Sequence, residues 1–540
     1  MPSPFTANFD QKVRVALEKW HISGVSFSIV HNDDIWSKGY GLAQQQVPQI
    51  HVTPTTLFYA ASTTKAHLCA VWALYIESEA NRSKPKDQQI SWSTPIADII
   101  RDDFVLCDDR TTKVTLEDCV SHRTGLPRHE SSYGYKGVRS VRDVTRNLRN
   151  LPMHHELRAK FEYCNTPYVA ASHALEILTG KPLSQVLHEY LWVPLKMTHT
   201  YAGFREAASA CVNARAELVA KSYSWTKLPC DPDDAKGKLV EDDYLDLEEV
   251  SGAGYVLTTA DDYAKWMRAL LNPGTAGNPI THEILQEVWK PRSINPPDYH
   301  DTAPFDGILT YGLGWFIGTY RGHQAYWHPG GIIGAGSLIL LVPAMKWGVS
   351  FFSNGPAPSL TLKGLAFELL DDALGISESE RTSSIKSDQS ALEAFKKHAE
   401  AYSSALHRFY PNAPISPTVP LTLPLHEYTG TYHNLGYGPL RLDRPSSEGS
   451  SSKRKECLIN SVNDRTWPHV LLFEHINAEC WLVTMYSGAT TSGKLEDMPN
   501  KIALKAESKI GVDGKVESFG VTMEPAMPDL LIWFYRGCNQ

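Results

Sequence analysis

Residues 58–77, FYAASTTKAHLCAVWALYIE, are apolar on nearly every side, and they constrain the fold more than any other stretch. A helix with so little polar surface has to lie in a domain interior. At its start Ser62, Thr63, Thr64 and Lys65 interrupt the apolar run, and the i, i+3 spacing sets the Ser62 hydroxyl beside the Lys65 amine. A serine hydroxyl is a weak nucleophile until a neighbour takes its proton. A lysine does so only when burial or another cation lowers its pKa. The buried helix supplies the burial, and its N-terminus supplies free N–H groups and a positive dipole end for an oxyanion. Spacing alone does not decide, because S-x-x-K recurs at Ser83 and Lys86, Ser224 and Lys227, and Ser383 and Lys386, in polar stretches without a buried helix. A capping serine with a snorkelling lysine is the structural alternative.

At 540 residues the chain exceeds one ordinary core. The expected division is a main domain over 1–376, a linker with one helix over 377–424 and a second domain over 425–540. A formal net charge of −8 offers nucleic acid or an anionic membrane no basis for binding, which leaves a small molecule as the expected partner. Nine cysteines, an odd number without a C-x-x-C pair, argue against a disulfide framework or zinc knuckle. His154 and His155 are adjacent but lack H-E-x-x-H spacing, so no metal and no cofactor is expected. The first residues carry no apolar signal core, and the apolar stretch 337–352 is too short to span a bilayer. A cytoplasmic location is therefore expected.

Along the chain, residues 24–30 and 34–40 read as a hairpin at a sheet edge. Short helices are expected over 115–119 and 167–178, and a longer one over 258–271 with Thr259 as its cap. Tyr163 and Asn165 fall in a tight loop before the second of these. Residues 128–160 read as a loop-rich surface, and the acidic insertion 217–248 as a solvated surface element in preference to a substrate-covering flap. From residue 311 three antiparallel strands are expected, with His328-Pro329-Gly330-Gly331 between the ends of the first two. A closing helix over 360–374, a mobile stretch over 377–389, a helix over 391–409 and a proline-spaced linker over 411–424 follow. Short strands near Tyr428, Leu440, Leu458, Val470, Trp481, Ile502, Val516 and Leu531 suggest a closed barrel, with a solvated low-complexity loop over 445–455.

Ser62-Thr63-Thr64-Lys65, Tyr163-Cys164-Asn165 and His328-Pro329-Gly330 resemble, in order and context, the three motifs of the serine β-lactamase and penicillin-binding-protein superfamily. The chain is most similar to the class C β-lactamase-like branch that also holds esterases, D-aminopeptidases and acyltransferases. SHRTGLP at 121–127, SGAGYVLTTADDYAKW at 251–266 and YGLGWFIG at 311–318 look like that branch's recurring segments, so the resemblance covers about residues 8–375. YTGTYHNLGY at 428–437 resembles the start of the lipocalin-like barrel appended to some members. The fold implied is α/β (α+β): an antiparallel sheet flanked by helices, an all-helical subregion and a second, C-terminal β-barrel domain.

The resemblance also implies roles. Ser62 is the acylated nucleophile, Lys65 its proton-relay partner, and Tyr163 a phenolate-like base or shuttle whose pKa is lowered by two cations, Lys65 and His328. The N–H groups of Ser62 and Gly331, beside Gly330, form the oxyanion hole, and Asn165 orients Lys65 or a substrate amide. His328-Pro329-Gly330 departs from the K-T-G of penicillin-recognising enzymes, exchanging a permanent cation for a titratable one and losing a hydroxyl. The function implied is a serine hydrolase or acyltransferase acting on a small ester, thioester or amide, with a natural product as one candidate. A D-aminopeptidase or weak β-lactamase is the enzymatic alternative, and a catalytically silent binding protein the alternative of another class. An α/β-hydrolase is disfavoured because the chain has no G-x-S-x-G elbow.

Overall fold

The computed structural model describes residues 2–135, 138–214, 219–296, 304–413, 417–445, 456–462, 465–488 and 494–537. Nine antiparallel strands form the main sheet, in the order Ile50–His51, Asp34–Gln44, Gly24–His31, Trp347–Asn354, Ala335–Val342, His323–Ile332, Phe316–Tyr320, Asp306–Tyr311 and Ser293–Ile294. The strands Ala335–Val342 and Trp347–Asn354 are buried at every position. Both faces of the sheet are covered, and the period of two divides each strand between two cores. Ile339 and Leu341 join the cluster that holds Leu68, Val71 and Trp72, whereas Leu338 and Leu340 join the cluster of Phe9, Val13 and Phe27.

Three expectations change at the sheet. The strand Gly24–His31 is interior, paired on one side with Asp34–Gln44 and on the other with Trp347–Asn354. The apolar stretch after residue 323 folds as two strands, His323–Ile332 and Ala335–Val342, that turn at Ile333 and Gly334. His328, Pro329, Gly330 and Gly331 therefore lie inside a strand and not between strand ends.

The helix Thr64–Glu77 follows a 3-10 turn, Ala61–Thr63, and is buried from Thr64 to Ala73. Helices Thr166–Thr179, Ser251–Gly254 and His282–Val288 enclose it. Trp72 Nε1 donates to the Ala171 carbonyl inside this layer at 3.1 Å. Burial pushes His67 down to about 3, so the neutral ring accepts from Trp192 Nε1 at 3.3 Å. The helix Ala260–Leu271, capped by the Thr259 hydroxyl on the Asp262 amide, packs on the sheet at Gly24–His31 and Trp347–Asn354.

The C-terminal strands form an eight-stranded sheet from Gly438–Leu442 to Cys457–Val462. Asp443 and Ile459 exchange backbone hydrogen bonds of 2.9 and 2.8 Å across its two edges, which nearly closes the barrel. Residues 446–455 of the expected solvated loop lie outside the described residues. Residues 383–389, expected to be mobile, begin the helix Ser383–Ser403, because the Ser383 hydroxyl donates to the buried Asp371 carboxylate at 2.9 Å. One apolar cluster continues from Trp72 in the helix Thr64–Glu77 to Phe473, Trp481 and Phe519 inside the barrel. Among the described residues the eight cysteines are free, and no helix is long and apolar enough to cross a membrane.

Candidate active site

Ser62 sits in the 3-10 turn, at the mouth of the buried helix, and Lys65 lies in the first turn of that helix, fully buried. Ala61, just before Ser62, is held at φ 48°, a left-handed conformation that costs a residue other than glycine on the order of 1–3 kcal/mol. The Lys65 amine meets three oxygens: Ser62 Oγ at 3.1 Å, Asn165 Oδ1 at 2.9 Å and the Ala253 carbonyl at 2.8 Å. Burial holds this amine well below the usual lysine range, and the Arg128 charge lowers it further while Glu130 opposes. In the neutral form the two carbonyl oxygens take the two N–H groups. The lone pair is left for the Ser62 hydroxyl.

Tyr163 donates its phenol proton to Ser62 Oγ at 2.8 Å. The expected lowering of its pKa is not what the site provides: burial raises it, outweighing the Ser62 hydrogen bond and the Arg128 charge. Tyr163 is therefore a protonated donor in the resting site. The basic groups nearest its ring also differ from the expected pair. Lys65 Nζ lies 4.8 Å from the ring centroid and Arg128 Cζ 5.1 Å, whereas the His328 ring is 6.4 Å away and its Nε2 contacts the Tyr311 hydroxyl at 3.0 Å.

The strand carrying His328 reaches the Ala61–Thr63 turn through Gly330. A Cβ there would lie 2.5 Å from the Ala60 carbonyl and 2.3 Å from Ser337 Oγ, so only glycine permits the approach. Gly330 and Gly331 then line, with Ser62, Tyr163, Asn165 and His328, a cavity of about 470 Å³. Its walls also hold Trp225 and Leu228 from the acidic insertion, Phe395 from the linker helix, and Trp467, Pro499 and Asn500 from the barrel. The insertion, expected as a surface element, is thus part of the pocket. Its strands Ser222–Trp225 and Leu239–Asp242 form a hairpin, and the Trp225 indole is fixed by a hydrogen bond to Asp234 at 2.9 Å and by stacking on His21.

Residues 128–135, expected at the surface, run between the two domains. Arg128 and Glu130 enter the cavity, joined at 2.7 Å, and Glu130 accepts from Asn165 Nδ2 at 3.1 Å. Neither residue carries a sequence signal beyond its place just after SHRTGLP. His122, within that segment, packs its ring 4.2 Å from Tyr163 and accepts the Cys164 N–H at 3.1 Å, and burial holds it neutral. The small residues of SGAG explain themselves here as well, since Ala253 offers its carbonyl to Lys65. One group among the described residues gathers metal-ligand types, His154, His155 and Glu162, with ligand atoms within 4.8 Å. The two imidazoles stack 3.7 Å apart with planes 29° from parallel, so their in-plane lone pairs do not converge.

A family model described as beta-lactamase matches residues 9–371. An unguisins hydrolase of Aspergillus campestris is 34% identical over 540 residues, covering 99% of this chain and 92% of its own length. The octameric penicillin-binding protein homologue from Pyrococcus abyssi has a TM-score of 0.57 at 16% identity, over 98% of this chain and 99% of that one. The D-amino acid amidase from Ochrobactrum anthropi SV3 has a TM-score of 0.52 at 22% identity, over 68% of this chain and 97% of that one. At these identities the two structures share the fold, an antiparallel sheet flanked by helices.

Proposed function

The chain belongs to the beta-lactamase family, and from that premise we propose that it is a serine hydrolase cleaving a small-molecule ester, thioester or amide, of natural-product type, through an acyl-Ser62 intermediate. The observation that carries this reading is the placement of Ser62 Oγ within 3.1 Å of a buried lysine amine and 2.8 Å of a phenol, at the floor of the cavity. Neutral Lys65 takes the Ser62 proton as Oγ bonds to the substrate carbonyl carbon. The N–H groups of Ser62 and Gly331 hold the resulting oxyanion. As the carbonyl re-forms, the bond to the leaving group breaks and Tyr163 gives that group its proton, which Lys65 replaces. Water, or a second nucleophile in the acyl-transfer variant, then takes the acyl group by the reverse relay.

The substrate class follows from two supports. The cavity walls are mainly apolar and aromatic, with Trp225, Leu228, Phe395 and Trp467 around one polar floor, which suits a bulky apolar acyl group. The relative named for unguisins covers nearly this whole chain, which supports a natural product as substrate. A D-aminopeptidase-like reading is favoured by one observation, the Glu130 carboxylate in the cavity, where it would pair with a substrate amine.

The test is the intact mass of the wild type and Ser62→Ala after exposure to a fluorophosphonate, an activated short-chain ester and a penicillin. Adducts on the wild type alone establish Ser62 as nucleophile, and the reagent that acylates and then turns over separates esterase from penicillin-type chemistry. A folded wild type with no adduct from any reagent replaces this reading with a silent binding protein.

A further inference from the structure

The segment 128–134 alternates. Arg128 and Glu130 face the cavity, while the residues between and after them are held by the barrel. The backbone N–H of His129 donates to Glu524 Oε2 at 2.6 Å, across 395 residues of sequence. The His129 ring bridges the same joint: its Nε2 donates to the Pro152 carbonyl at 2.8 Å, so its Nδ1 accepts from the Tyr437 hydroxyl at 2.6 Å. His129 itself is completely buried and sits at φ 47°, a conformation that its surroundings must enforce. Further along, Arg465 donates to the Ser131 carbonyl and Trp467 Nε1 to the Tyr133 hydroxyl at 3.2 Å. At Gly134, φ 90°, a Cβ would lie 2.1 Å from the Thr466 amide nitrogen, so barrel and loop touch backbone to backbone.

The other face of this loop leads to the nucleophile. Glu130 accepts from Asn165 Nδ2 at 3.1 Å, and Asn165 Oδ1 accepts from Lys65 at 2.9 Å. We propose that the C-terminal barrel is a working part of the catalytic centre, with Glu524 and Tyr437 as positioning residues. They fix His129 so that Glu130 holds Asn165, and Asn165 holds the Lys65 amine toward Ser62. The inference rests on the acyl-Ser62 reading above. It assigns the barrel a role in the acylation step that an accessory domain beside the pocket would not have.

The experiment uses the full chain with Glu524→Ala, Glu524→Gln and Tyr437→Phe. Two quantities are read: hydrogen exchange of the amides of 128–134 against those of 64–77, and the rate of Ser62 labelling by a fluorophosphonate, followed by intact mass. Glu524→Ala is expected to speed exchange in 128–134 and slow labelling by about tenfold, the size set by one lost hydrogen bond to a charged group. The amides of 64–77 keep wild-type protection. Glu524→Gln, which keeps an acceptor for the His129 N–H, restores both readings to within about threefold, and Tyr437→Phe falls between. Wild-type labelling by a folded Glu524→Ala overturns the proposal, as does faster exchange spread equally over 64–77. If Glu524→Ala does not fold, Tyr437→Phe decides on the same criteria. If the wild type takes no label, the acyl-enzyme reading fails instead, and exchange in 128–134 alone tells whether the clamp exists.

Discussion

The phenol oxygen of Tyr163 lies 2.8 Å from Ser62 Oγ and donates to it, although the two residues are separated by 101 positions in the chain. Burial keeps that phenol protonated and holds the Lys65 amine below its usual range, so in the proposed mechanism the lysine receives a proton and the tyrosine delivers one. This division differs from a phenolate mechanism and has measurable consequences.

Lys65→Arg keeps a long basic side chain but is permanently charged and cannot offer a lone pair, and Tyr163→Phe preserves the ring but not the proton. Both are expected to slow Ser62 acylation by about 10²–10⁴-fold, the range for losing a positioned acid or base. Burst kinetics with an activated ester measures this directly. A Lys65→Arg enzyme within tenfold of wild type would remove Lys65 as the base.

The pH profile should respond in opposite senses to two pocket variants. Activity falls on the acid side as Lys65 gains its proton. The Arg128 charge lowers the Lys65 pKa and the Glu130 charge raises it, both after the larger effect of burial. Arg128→Gln is thus expected to move the acid limb of kcat/KM to higher pH, and Glu130→Gln to lower pH. Shifts of one sign in both variants contradict the assignment of that limb to Lys65.

The cavity wall predicts a split between binding and chemistry. Leu228→Ala and Phe395→Ala remove apolar surface from the pocket without touching the floor. For a bulky apolar ester they should raise KM about tenfold, as loss of a few methylene contacts does, with kcat little changed. A short acetyl ester should be indifferent to both changes. Equal losses on both esters would place these residues outside the acyl pocket.

Stability hinges on Asp118, whose side chain is fully buried. Burial alone would raise its pKa, but Arg158 at 2.7 Å, Thr115 and Arg123 at 3.0 Å outweigh that and hold it below the usual range. Asp118→Ala removes the carboxylate that Arg158 and Arg123 share; with Arg158 half exposed and Arg123 still paired to Glu117, the cost should be about 1–3 kcal/mol. Because the folded pKa is depressed, the carboxylate's contribution is complete above the unfolded value of about 3.9 and is lost as pH falls through the folded value. The difference in Tm between wild type and Asp118→Ala should therefore shrink below about pH 4.

Much of this architecture is legible in local pattern. The all-round apolarity of residues 58–77 marks a buried helix, the alternating stretches near the C-terminus mark eight strands, and Thr259 marks its helix start. The ordered motifs around Ser62, Tyr163 and His328 point to one site because each is a short, contiguous signal. What could not be read were contacts whose signal is spread over the chain. Arg128 and Glu130 look like ordinary surface charges, since the barrel that encloses their loop begins some 300 residues later. The acidic insertion looks solvated, because nothing in its composition reveals that Trp225 turns toward the cavity.

Short ordered motifs thus carried the resemblance to the family, and hydrophobic pattern with short-range spacing carried the buried helix, the C-terminal strands and the pairing of Ser62 with Lys65. Three-dimensional packing established the rest: that Tyr163 stays protonated, that Arg128 is the charge nearer to it than His328, and that Glu524 holds the loop beside Asn165. Burial, electrostatic coupling and domain contact depend on what surrounds a group, and those neighbours come from distant parts of the chain.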